Sequence, residues 1–152
     1  MNRTEINIII GLKDLEELIS VFAIVFDMPG FISPSKMHLQ KLLGSDTFFA
    51  IVAKREDKII GGLTVYTLDQ YYLEKPLAYI YDLAVLTKYQ RQGIGKALIT
   101  FTNEYCKEKG YAEVFVQADK ADDYAIEFYR STQPSAEESV VHFAYNLDKK
   151  KI

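Results

Sequence analysis

Residues 83–95 read Leu-Ala-Val-Leu-Thr-Lys-Tyr-Gln-Arg-Gln-Gly-Ile-Gly. An apolar strand ends, a short basic loop follows, and a helix starts at a pair of glycines. The first turn of a helix carries backbone N–H groups with no intrahelical partner and the positive end of the helix dipole, so it attracts phosphate. Gly93 and Gly95 keep side chains away from a diphosphate approaching the backbone, and Lys88 and Arg91 add charge. No Gly-Lys-Ser/Thr follows, so this is not a P-loop. The plainer alternative is a strand-to-helix turn whose glycines serve close packing.

Upstream, residues 77–86 (LAYIYDLAVL) predict a long apolar strand interrupted once, by Asp82. Downstream, a helix is expected from about Gly93 to Lys109, with Ile94, Ala97, Leu98, Phe101 and Tyr105 as its apolar stripe, Cys106 off that stripe and Gly110 as its cap. Residues 111–118 read as a strand. Asp122 or Asp123 caps a helix running to about Arg130, and residues 138–147 (ESVVHFAYNL) close with a strand.

Toward the N-terminus, residues 47–54 and 58–67 flank Arg55-Glu56-Asp57, a hairpin signature. Residues 69–76 form a polar, aromatic loop. Residues 5–10 predict a strand. Residues 12–27 place Leu15, Leu18, Ile19, Phe22, Val25 and Phe26 at helical spacing, and Met28-Pro29-Gly30 ends that helix. Residues 34–43 suggest a second short helix capped by Ser33, with apolar Met37, Leu39, Leu42 and Leu43. The order β-α-α-β-β-β-α-β-α-β puts hairpins first and strand-helix-strand second. That suggests an α/β (α+β) fold: a mixed sheet with helices on its faces.

Length and composition bound the function. The 152 residues predict one domain, residues 1–152. The single cysteine, Cys106, excludes an internal disulfide framework and a thiolate metal cluster, so no metal is expected. It favours a reducing, cytoplasmic location. The apolar run near the N-terminus is too short for a signal peptide or a membrane span. The formal charge of −3 argues against a nucleic-acid surface and suits a cationic small-molecule substrate. Mild acidity is also common in proteins that bind no cation.

Gln90-Arg91-Gln92-Gly93-Ile94-Gly95 resembles the Q/R-x-x-G-x-G/A loop of the GNAT acetyltransferase superfamily, placed as there after a strand ending in an apolar-x-Val pattern. The resemblance implies a central, mostly antiparallel mixed sheet splayed between its fourth and fifth strands and flanked by about four helices. It also implies acetyl-CoA as cosubstrate. Gln90, Arg91, Gln92, Gly93, Ile94, Gly95 and Lys96 would hold the CoA pyrophosphate, and Leu83, Ala84 and Val85 would offer main-chain groups to the pantetheine arm. A splayed strand leaves backbone groups that an extended amide-bearing arm satisfies as an added strand would.

Segments 79–85 (YIYDLAV), 90–99 (QRQGIGKALI), 116–129 (VQADKADDYAIEFY) and 140–143 (VVHF) are similar to the type I aminoglycoside 3-N-acetyltransferases over roughly residues 45–147. Tyr124, the Ser131-Thr132-Gln133-Pro134 turn and Ala144 depart from that family's pattern. The resemblance implies acetyl transfer to the 3-amine of an aminoglycoside by direct attack in a ternary complex, an antibiotic-resistance role and a homodimer.

Aminolysis of a thioester requires that the amine lose its proton, that the oxyanion be stabilised, and that the leaving thiolate be able to take a proton. Asp82 is the candidate to hold or deprotonate the acceptor amine; the alternatives are a structural ion pair or a strand-edge hydrogen bond. Asp119, Asp122 and Asp123 follow a strand's C-terminal end and suit a polycation, or else cap the next helix. The resemblance makes Tyr129 the acid for the leaving thiolate, whereas an amphipathic position suits a core Tyr. His142 is read either as a core histidine or as an acceptor contact. Tyr71, Tyr72 and Glu74 are candidates to wall the acceptor pocket. Two other readings remain open: the same chemistry on a polyamine, another small amine or a protein amino group, and an acyl-CoA-binding module without turnover.

Overall fold

The structure, a computed structural model, describes residues 3–148. The chain divides between Ala118 and Asp119 into two compact units.

The first unit is built on a five-stranded sheet in the order β1-β2-β3-β4-β5. The strands are β1 (Glu5–Ile8), β2 (Phe48–Arg55), β3 (Lys58–Leu68), β4 (Leu77–Val85) and β5 (Glu113–Val116). β1 to β4 run antiparallel, while β5 joins β4 in parallel. Between β1 and β2 lie helices α1 (Leu12–Val25) and α2 (Lys36–Leu43), and between β4 and β5 lies α3 (Ile94–Glu108). β2 and β3 are joined through Glu56 and Asp57, both at positive φ (51° and 64°). Such a two-residue turn matches the twist of a hairpin.

Alternation along β2 sorts the two faces. Phe48, Ala50 and Val52 enter a cluster with Leu15, Leu18, Val21 and Phe22 of α1 and Leu39 of α2. The intervening Phe49 meets Tyr105 of α3 on the other face, with ring centroids 5.2 Å apart. Leu15, Leu18 and Leu39 are essentially fully buried, each contributing about 1.5–3 kcal/mol through removal of apolar surface from water.

Two polar contacts fix α1 on the sheet, and a third ties it to α2. Lys54 Nζ donates to Asp14 Oδ2 at 2.9 Å, the backbone N–H of Ile59 donates to Glu17 Oε2 at 2.9 Å, and Lys36 Nζ donates to Glu16 Oε2 at 2.8 Å from α2. Gly62 permits the close approach of α1. A Cβ there would stand 2.6 Å from both the Ile51 carbonyl oxygen and Leu18 Cδ1. We expect Gly62→Ala to destabilise the fold by about 1–3 kcal/mol, the usual overpacking cost. Urea unfolding checks this, and an unchanged midpoint would refute it.

The helix starts and stripes correct some expectations. α2 is capped by Ser35, whose Oγ accepts from His38 N at 3.2 Å, rather than by Ser33. Ser35 stands three residues before that amide, as a side-chain cap requires, whereas Ser33 lies too far upstream. Met37 faces solvent, and Leu39 is the α2 residue that buries. On α3 the buried residues are Ile94, Leu98, Ile99, Thr102 and Cys106. Cys106 therefore belongs to the stripe and Ala97 does not. The row follows i+4 steps from Ile94 through Leu98 and Thr102, and Thr102 Oγ1 hides its polarity by donating to Leu98 O at 2.8 Å. Burial pushes the Cys106 thiol up to about 11, so at neutral pH it stays protonated and is no nucleophile.

The second unit contains helix α4 (Asp123–Ser131). Asp122 is its N-cap, accepting from Ala125 N at 3.1 Å. Arg130 makes a bidentate pair with Glu137, at 2.9 and 2.6 Å. The strand predicted over 138–147 is absent: residues 138–148 are irregular and exposed. An alternating apolar pattern becomes a strand only where a neighbouring strand takes its backbone bonds, and among the described residues of this unit there is no other strand.

Candidate active site

β4 changes its rules at Ile80. Up to that point it pairs with β5 over Leu77–Ile80 against Glu113–Val116; beyond it, β4 continues to Val85 without β5. At the same place the β3–β4 register slips. Leu63 faces Leu83 and Val65 faces Ile80, so Thr64 alone opposes both Tyr81 and Asp82. This is a β-bulge, one extra residue in β4.

The bulge reverses the parity of side-chain direction. Tyr79 is in register with Tyr66, and Tyr81 meets both rings at 5.7 Å. Past the bulge, Ala84 lies in the α1-side cluster. Tyr81 and Asp82, adjacent in sequence, therefore open onto the same face. They line one cavity of about 260 Å³. Its other walls come from Phe22 of α1, from Phe26, Met28 and Phe31 after it, from His38 of α2, and from Thr64 and Tyr66 of β3. Most of this lining is apolar or aromatic. Asp82 is its one carboxylate.

Among the described residues no hydrogen bond or ion pair engages the Asp82 carboxylate, although its backbone N–H donates to Thr64 Oγ1 at 3.3 Å. Burial alone raises its pKa above the ordinary Asp range. The structural ion-pair alternative thus lacks its cation. Burial also raises Tyr66 and Tyr79, with Tyr81 and Asp82 adding to it, so these phenols remain neutral neighbours of the carboxylate. An aromatic row crosses the sheet here. Phe48, Tyr66, Tyr79 and Phe115 are in successive register, and Tyr79 stacks on Phe115 at 4.7 Å.

The loop after β4 has the predicted form. Thr87–Tyr89 makes a short 3-10 helix, and Gln90 Nε2 reaches back to Val85 O at 2.9 Å, tying the loop to the end of β4. The Gln90 backbone N–H donates to Thr87 O, so this amide already has a partner. Arg91 and Gly93 both take left-handed φ, 63° and 81°. For arginine that conformation costs on the order of 1 kcal/mol. Gly93 is the N-cap of α3. No side chain caps this helix, and no acid stands in its first turn. The amides opening α3 therefore remain available to an anion, with Lys96 in the same turn. A Cβ on Gly93 would meet nothing within 4 Å, so the space beside this N-cap is open. Leu83, Ala84 and Val85 lie on the stretch of β4 that β5 has left. An uncapped helix start beside an unaccompanied strand edge fits a carrier that has a diphosphate and an amide-bearing arm.

The other sequence candidates belong to the loop before β4 and to the second unit. Tyr72 is exposed in the loop before β4, and its ring packs edge-on against Tyr71 at 5.0 Å. Asp119, Asp122, Asp123, Tyr129 and His142 belong to the second unit. Asp119 Oδ1 accepts from Ala121 N at 2.9 Å, a local turn. Tyr129 is half-buried, with its ring edge-on to Phe128. His142 is exposed on irregular chain, not a core histidine. Sequence reasoning missed Thr64, Tyr66, Tyr81, His38 and the Phe26–Phe31 segment. Only Tyr81, beside Asp82 in an apolar strand, carried a signal.

Together the open β4 edge and the uncapped α3 suit a diphosphate-bearing carrier, and a cavity with one carboxylate among its lining residues lies on the same strand. The chain matches the Acetyltransferase (GNAT) family over residues 15–132 and belongs to it. Acetyltransferases of this family use acetyl-CoA. One solved relative is an aminoglycoside acetyltransferase from an uncultured soil metagenomic sample, crystallised in complex with sisomicin. It is 58% identical, with 95% of this chain and 97% of that chain covered and a TM-score of 0.93. A second aminoglycoside acetyltransferase from an uncultured soil metagenomic sample is 32% identical, covers 96% and 99%, and has a TM-score of 0.87. Human (Homo sapiens) N-acetyltransferase 8 is 29% identical over 80 residues, 53% of this chain; that match spans 35% of the human protein's length. Among the described residues no helix is long and apolar enough to cross a membrane.

Proposed function

We propose that this chain is an acetyl-CoA-dependent N-acetyltransferase that modifies an aminoglycoside, at its 3-amine, by direct attack within a ternary complex. The observation that carries the reading is Asp82: a part-buried carboxylate without a cation, at the wall of an aromatic cavity, on the strand that leaves its neighbour. The relative with 58% identity that holds sisomicin supports the acceptor class. The family match runs from residue 15 to 132, across the boundary at 118/119, which supports reading residues 1–152 as a single domain.

Asp82 takes a proton from the acceptor ammonium, and the nitrogen lone pair so freed attacks the thioester carbonyl carbon. The carbon–sulfur bond then breaks, Tyr129 gives its phenolic proton to the leaving thiolate, and the Tyr129 phenolate takes the second proton that the nitrogen loses as it becomes an amide, which leaves Asp82 holding the one proton the reaction releases. The backbone of Gly93, Ile94, Gly95 and Lys96 holds the pyrophosphate, with Arg91 and Gln92 beside it. Leu83, Ala84 and Val85 align the pantetheine arm, so that the acyl carbon is set against the amine. Tyr66 and Tyr81 give a cationic ring amine aromatic faces on the way to Asp82. Asp119, Asp122, Asp123, His142 and Tyr72 are assigned to the acceptor's remaining polar groups. The same reading takes the protein as a cytoplasmic homodimer with a resistance role.

The test is an acceptor screen with acetyl-CoA, following free CoA and the mass gain of one acetyl group. Sisomicin is expected to react, with the modified nitrogen identified by NMR, and Tyr129→Phe to slow the reaction. A polyamine reacting while every aminoglycoside is inert would overturn the acceptor. Acetyl-CoA bound but never consumed would point to a binding module.

A further inference from the structure

We propose that Thr64 is a positioning residue: its hydroxyl pins the bulge that aims Asp82 into the acceptor cavity. The inference rests on the role given to Asp82 above and adds a residue to it.

A bulge leaves one strand with a residue too many, and the ladder is disrupted there. At this bulge the supernumerary pair is Tyr81 and Asp82, and the single residue opposite is Thr64. The Asp82 N–H falls in the slipped register and goes to a side chain instead, Thr64 Oγ1 at 3.3 Å. Thr64 is only 9% exposed and sits in β3 between Leu63 and Val65, both fully buried. A hydroxyl in so apolar a run is costly unless it is used. Valine would have the same shape and a stronger strand preference, so packing does not explain threonine here. Thr64 and Asp82 line the same cavity. Releasing the Asp82 amide lets the two-residue segment relax, and its direct consequence is on the direction in which the carboxylate points.

The experiment compares wild type, Thr64→Val and Thr64→Ser, with Thr64→Ala as a smaller replacement should valine impair folding. Three quantities are measured: amide hydrogen exchange at Asp82, the pH dependence of kcat with acetyl-CoA and sisomicin, and KM for acetyl-CoA. Rates are normalised to the folded fraction from circular dichroism. Without the hydroxyl, Asp82 exchange is expected to accelerate at least severalfold. The rate constant kcat is expected to fall about 10- to 100-fold, as for a misaligned reacting group. Its acid limb moves, KM for acetyl-CoA stays within about twofold, and serine restores all of these. Unchanged exchange overturns the pin, and faster exchange with unchanged kcat overturns its positioning role. If wild type acetylates no amine, the functional reading fails instead. The pin is then decided by exchange at Asp82 and by NMR titration of its carboxyl group, where valine behaving as wild type refutes it.

Discussion

Asp82→Asn is expected to lower kcat by about 10²- to 10⁴-fold, the usual worth of a positioned base, while leaving CoA affinity and the fold intact. The sign of its effect on stability separates function from structure. Burial raises the Asp82 pKa, so the folded chain disfavours the charged form. The resulting stability penalty is absent below the unfolded-state pKa, grows as pH rises through the folded pKa, and is complete above it. Asparagine removes that penalty, so thermal unfolding near pH 7 should occur at the same temperature or higher. A structural ion pair would give the opposite result. Turnover of wild type should rise with pH through an apparent pKa above the ordinary carboxylate range, and this limb should vanish in the variant. Undiminished turnover, or a marked loss of stability, would remove Asp82 from the chemistry.

Gly93→Val should weaken CoA binding about 10- to 100-fold. Two effects combine. At φ 81° a β-branched residue is strained by roughly 1–2 kcal/mol, and each 1.4 kcal/mol is a factor of ten in affinity. In addition, the space that a Cβ would enter at this N-cap is open in this structure, and a branched side chain there would fill it at the helix start that would receive a diphosphate. Gly93→Asn distinguishes the two, because asparagine tolerates left-handed backbone but still fills that space. Its stability should stay near wild type while its affinity falls. Calorimetric titration with CoA checks both variants. An unchanged dissociation constant would place the diphosphate elsewhere.

Much of the first unit was legible because local pattern and tertiary demand agree. The hairpin around Glu56 and Asp57, the amphipathic α1 and the glycine start of α3 each carry a signal within a few residues. What failed depended on distant partners. Residues 138–147 have a strand's alternation, but pairing is a property of two segments. Cys106 looked peripheral because the stripe was drawn through Ala97, whereas the sheet selects Thr102 and lets its hydroxyl bond backward. Ser33 was the expected cap of α2, and the chain's path gives that role to Ser35 instead. The bulge at Tyr81 and Asp82 left no mark in the sequence. The candidate base was still recognised, as a lone charge in an apolar strand, but its neighbours in space were not.

That extra residue in β4 makes strand length itself a heritable constraint. Loss of one position between Ile80 and Leu83 would restore an even ladder with Leu83, Ala84 and Val85 still opposite Leu63, Gly62 and Gly61. Ala84 would stay on the α1 side, and a single residue would face Thr64 where Tyr81 and Asp82 now do. Side chains around the cavity can therefore be exchanged one at a time, while loss of the codon that makes the bulge would cost either the ring of Tyr81 or the carboxylate of Asp82 and leave the packing behind them in place.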